Sequence, residues 1–149
     1  MAKYTPTATY DDVTLILRLY ELRREDRMRK ARDWFVLNFH FQSLQDAIQV
    51  APPGSDANAS FRMVVSYWDM VASFITSGVL KPEIFFESNR ELLLVWVRIE
   101  PIIVEIRGFW KDPLAWSNLE TVAKQYIEWM NSRAPGSYEA FAERIRSIR

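Results

Sequence analysis

NRELLLVWVRIEPIIVEI, residues 89–106, is the stretch on which the fold turns. Its apolar residues fall on nearly every side of a 3.6-residue turn, the pattern of a helix enclosed by other helices. LLLVWV alone also suits a buried strand on β-propensity, but the chain has no second strand-like run for it to pair with. The reading is a central helix from Asn89 to Ile106. Pro101, the one interior proline, removes a backbone donor and predicts a kink near Val97.

Outward from this stretch, Gly and Pro stand at seams rather than inside apolar runs, as expected where the intervening pieces are helices. On the N-terminal side, Ser88 and Glu91 have capping-box spacing, and Pro82 suits the first position of a short helix to Glu87. Phe61, Val64, Val65, Trp68, Val71, Ala72, Phe74 and Ile75 recur at helical spacing up to Gly78, where a left-handed cap is expected. PPGSDANAS, residues 52–60, reads as a connector centred near 51–58. Before it, Met28, Ala31, Trp34, Phe35 and Leu37 continue to Phe41, Leu44 and Ile48, with re-nucleation at Ser43. Thr9 and Asp12 form a capping-box-like start for a first helix with Val13, Ile16, Leu17, Leu19, Tyr20 and Leu22 on its apolar face. Five consecutive charges, Arg23 to Arg27, leave more than a turn with nothing to bury, so a break is predicted within two residues of Glu25.

On the C-terminal side, Gly108 closes the central helix and Asp112-Pro113 opens the next, with Leu119, Val122, Ala123, Tyr126, Ile127 and Met130 inward. After Pro135-Gly136, Tyr138, Phe141, Ile145 and Ile148 give a single-sided stripe for a terminal helix. The fold class is all-α: an irregular bundle of six to seven helices around a central, Pro-kinked apolar helix, as one domain over residues 1–149.

Composition narrows function by exclusion. Nineteen basic and nineteen acidic residues balance to zero, without the electrostatic footprint of a nucleic-acid or anionic-membrane binder. The start MAKYTPTATYDD has no signal-peptide core, and no window reaches the roughly 18 apolar residues of a membrane span. Absence of cysteine removes disulfides and thiolate chemistry and suits a reducing, cytoplasmic setting. His40 is the only histidine, and neither a Glu-x-x-His nor a His-x-x-x-His spacing occurs, so no zinc or di-iron site is expected. His40 lies between Phe39 and Phe41 and reads as a helix-end packing residue. The glycines stand singly, outside GxGxxG or GxxxxGK[ST], so no cofactor or nucleotide cradle is expected and the chain reads as non-enzymatic.

YWDMVASFITSGVLKPEIFFESNRELLLVWVRIEPIIVEIR (67–107) and DPLAWSNLETVAKQ (112–125) set an aromatic-rich helix, a Gly-containing turn and a helix with Trp96, Pro101 and Arg107 in sequence. With LRLYELRREDRMRKARDWF (17–35) upstream, this resembles a bacterial family of small all-helical proteins known only as a domain of unknown function. The likeness runs from about Leu15 to Gln125. It implies the helical fold and brings no catalytic residue with it. Many members of that family place a membrane-spanning helix ahead of the domain, an element missing from this sequence.

Five polar or aromatic features remain to be weighed as candidate sites. Glu91, Arg98 and Glu105 fall seven apart, close to one stripe of the central helix, where they are expected to pair internally or to form a ligand-facing polar strip. Trp68, Trp96 and Arg98 are expected near any pocket for a small apolar ligand. Trp110 and Trp129 sit off the apolar stripes and suit a contact surface for a protein partner or a second copy, unless the packing absorbs them. Glu83, Glu87 and Glu91, four apart, read as a solvated acidic edge more readily than as a cation site. Arg18 to Asp33 holds seven basic and four acidic residues, but the pairs Glu25–Arg29, Asp26–Lys30 and Arg29–Asp33 are spaced for a solvent-facing helix.

Overall fold

The computed structural model describes residues 7–148, and all regular structure within them is helical. The first half of the MAKYTPTATYDD segment lies outside the described residues. Helix α1 spans Tyr10–Arg23, α2 Asp26–Asn38, α3 Leu44–Val50, α4 Asp56–Thr76, α5 Pro82–Phe86 and α6 Glu91–Ile99. A 3₁₀ turn at Glu100–Ile102 leads into α7 Ile103–Trp110, followed by α8 Ser117–Arg133 and α9 Ser137–Ser147.

The N-terminal caps follow the sequence closely. Thr9 and Asp12 close a reciprocal capping box on α1. Asp12 is buried, and its other oxygen accepts the Lys81 N–H at 3.0 Å, tying α1 to the start of α5. The Thr9 and Lys81 backbone donors hold the Asp12 carboxyl below its ordinary value. A depressed carboxylate contributes stability above its unfolded pKa, near 3.8, and loses it as pH falls through the lower folded value. Asp12→Asn is therefore expected to cost about 1–3 kcal/mol at neutral pH. It should also show a smaller loss than wild type between neutral and strongly acidic pH in urea denaturation; parallel pH profiles would contradict this.

The charged run forms the expected corner: α1 stops at Arg23, and Glu25 caps α2 by accepting the Met28 N–H at 3.2 Å. The three i,i+4 ion pairs expected there do not form among the described residues; Arg18 pairs with Glu21 at 3.5 Å instead. Ser43 and Ser55 cap α3 and α4. Gly78 takes φ +82° after α4, and Leu80 N–H reaches back to the Phe74 carbonyl at 2.9 Å.

Four local readings are corrected. The Ser88–Glu91 capping box does not form; Asn89 is buried instead, accepting from Arg23 at 2.9 Å and donating to the Phe85 carbonyl at 2.9 Å. The central helix stays regular past Val97 as far as Ile99 and changes at Glu100–Ile102, where the chain tightens to 3₁₀ and Pro101 sits near the start of a new helix rather than inside an old one. Gly108 lies within α7, and Lys111 at φ 53° supplies the left-handed turn. Asp112-Pro113 makes a turn, and α8 begins only at Ser117, with Asp69 of α4 accepting the Leu119 N–H at 3.0 Å. A tertiary carboxylate thus caps α8, and burial pushes Asp69 up from its ordinary pKa.

α4 packs along α2 on one side and α8 on the other, while α6 meets α4, α8 and α9. One cluster of buried side chains draws on every helix. Of α6, Leu92, Leu93, Val95 and Ile99 are fully buried, as an enclosed helix requires. The second half is less enclosed, since α7 exposes Val104 and Phe109. Phe39 lies between Phe35 and Phe61, stacked at 4.9 and 4.8 Å. No helix among the described residues is long and apolar enough to cross a membrane.

Candidate functional site

Glu91, Arg98 and Glu105 do not form one strip. The 3₁₀ turn rotates Glu105 away from α6, and each residue goes to a different neighbour. Glu91 holds Arg32 of α2 through contacts at 2.6 to 3.0 Å and accepts the Trp68 indole N–H at 3.4 Å. Glu105 is exposed and accepts the Leu44 N–H at 3.1 Å, at the start of α3. Glu87 pairs with Arg133 at 3.1 Å, so Glu83, Glu87 and Glu91 do not converge. Among the described residues no cluster of His, Asp or Glu is arranged to hold a metal ion.

Arg98 is the unusual member. It is buried, and its Nη2 donates to the carbonyls of Val36 at 3.2 Å and Ile145 at 3.0 Å. These carbonyls belong to the last turns of α2 and α9, where helices carry partial negative charge, and that of Ile145 also accepts the Ile148 N–H at 3.3 Å. The expected carboxylate partner is replaced by two helix ends, whose partial charges do part of its work. Nε and Nη1 are buried without an acceptor, and burial lowers the Arg98 pKa. Arg98 borders a cavity of 500 Å³ with His40, Gln42, Glu100 and Arg146 in its walls.

Trp68 and Trp96 are buried and line neither this cavity nor the groove described next. Trp68 packs edge-on against Tyr67 at 5.1 Å, with the Arg23 guanidinium over its face at 5.1 Å. They are core rather than pocket. Trp129 is half-buried against Phe86 and Tyr126, and Arg133 covers it at 4.2 Å. Packing absorbs most of that ring.

Trp110 behaves differently. It is 47% exposed and packs edge-on against Trp116 at 5.2 Å, on the rim of an apolar groove of 230 Å³ between α3, the start of α4 and α7. Phe39, Ala47, Phe61, Ile102 and Ile106 form its floor, and Ile48 and Phe109 join Trp110 at the edge. Asn58 is its polar lining residue. Phe109, 68% exposed, was not among the expected site residues. The available signal was its place beside Trp110 at the end of an apolar helix, directly before the polar KDP turn.

The pattern of one protein family, described as "Domain of unknown function (DUF4760)", matches residues 8–129. The chain belongs to this family. The DUF4760 match starts just ahead of α1 and ends within α8, slightly beyond the resemblance at both ends. The apolar groove lies wholly inside the matched residues, whereas the Arg98 cavity takes Arg146 of α9 from outside them. No curated protein and no solved structure matches the chain significantly.

Proposed function

We propose that this DUF4760 chain is a non-catalytic interaction domain that self-associates through the apolar groove beside Trp110. The observation carrying this reading is the exposed Phe109–Trp110 pair on the lip of a groove floored by Phe39, Phe61, Ile102 and Ile106. At 230 Å³ the groove is below the roughly 300 Å³ where small-molecule pockets begin, and it suits one or two large side chains. A protruding aromatic beside a recess is also self-complementary: under a two-fold axis each copy offers Phe109 to the other's groove, and the contact closes at two chains. Burying one such Phe contributes about 1.5–3 kcal/mol, and the symmetry supplies it twice.

Size-exclusion chromatography with light scattering tests this. A two-chain mass is expected at moderate concentration, returning to one chain in Phe109→Ser with an unchanged circular dichroism spectrum. A single-chain mass at the highest soluble concentration would sink self-association and leave the groove for a different protein. A second reading, a domain that binds a small molecule, is favoured by the Arg98 cavity.

A further inference from the structure

We propose that the cavity between α6, the segment after α2 and α9 binds a small oxyanion of the carboxylate or phosphate class, held by Arg98 and Arg146. A guanidinium carries five N–H donors. The two on Nη2 are used by Val36 and Ile145, while Nε and Nη1, both buried, meet no acceptor in the protein. Buried donors without partners are rare in folded proteins, and Arg98 keeps this unspent hydrogen-bonding capacity in the wall of the cavity.

The cavity beside Arg98 meets the other requirements of such a guest. Its 500 Å³ lies within the range of small-molecule sites and well above the volume one water needs. Arg146 reaches it from α9 and makes no ion pair among the described residues. His40 and Gln42 add donors from the segment after α2. Glu100 is the one carboxylate among the lining residues, against two guanidinium groups. The carbonyl ends of α2 and α9 offset only part of the Arg98 charge, so two guanidinium groups against Glu100 leave the cavity with a positive balance. An oxyanion fits these donors better than a neutral guest, because charge-assisted hydrogen bonds to guanidinium are shorter and about twice as strong.

Isothermal titration of the full chain with inorganic phosphate, succinate and citrate, at constant ionic strength, reads this directly. At least one of them is expected to bind saturably, at one site per chain, with the neutral succinamide inert. Arg146→Ala should weaken that affinity roughly tenfold, as loss of one charged contact does. Arg98→Met should abolish it. Arg146 is exposed, so its variant carries the test even if Arg98→Met does not fold. No saturable heat with any of the three anions, or an affinity unchanged by Arg146→Ala, overturns the site and leaves the Arg98 donors to water.

Discussion

Trp68→Ala is expected to lower the unfolding free energy by about 3–5 kcal/mol, the range for removing a large aromatic from a packed core. Trp68 is fully buried at the centre of α4, and its ring touches three kinds of neighbour. Tyr67 and Phe85 pack edge-on at 5.1 and 6.5 Å, contacts that add to the area buried. Arg23, itself buried, lies over its face at 5.1 Å, so truncation strips a nearly dry cation of one π partner and leaves it Tyr20, at 5.3 Å, and Asn89. The indole N–H also donates to Glu91, linking α4 to the ion pair between α2 and α6. Trp68→Phe keeps most of the volume and should cost less than half as much. Chemical denaturation followed by circular dichroism measures both; a Trp68→Ala loss below about 1 kcal/mol, the level of an ordinary point change, would show that the α4 core collapses onto the gap.

The core was legible because apolar periodicity is a local signal. Leu92, Leu93, Val95 and Ile99 announce an enclosed helix whatever surrounds them, and Thr9, Ser43 and Ser55 cap helices by contacts within three residues. Two of the errors are tertiary. Ser88 has the spacing of a cap, but Asn89 does better by bonding to Arg23, 66 residues away in sequence. Asp112-Pro113 reads as a helix start, yet α8 waits for Asp69, 50 residues before Leu119. Neither partner can be inferred from spacing. The polar strip failed for a different reason: a seven-residue repeat keeps one face only while the helix is continuous, and Pro101 breaks the register between Arg98 and Glu105. The groove was half visible, since Trp110 declared itself by lying off the stripe, but its floor is assembled from the residue after α2, from α3 and α4, and from the 3₁₀ turn and α7.

Arg98→Ala is expected to cost about 2–3 kcal/mol, against no more than about 0.5 kcal/mol for Arg27→Ala on the exposed face of α2. Opposing effects set that size. Truncation takes a donor from the Val36 and Ile145 carbonyls, of which Ile145 keeps the Ile148 N–H at 3.3 Å, and leaves a gap beside Val97 and Ile99, both buried. It also removes a buried cation that has two unpartnered nitrogens and no carboxylate, which is a gain. Arg98→Met separates the two, because it fills much of the volume while deleting the charge and both hydrogen bonds. The expected order of stability is Arg27→Ala, then Arg98→Met, then Arg98→Ala. Melting temperatures in that order would show that the Arg98 stem and its helix-end contacts support the fold, while its remaining donors are free to serve a ligand. Arg98→Ala melting together with Arg27→Ala would mean that releasing the unpaired charge offsets the whole loss, and that the junction of α2, α6 and α9 holds without it.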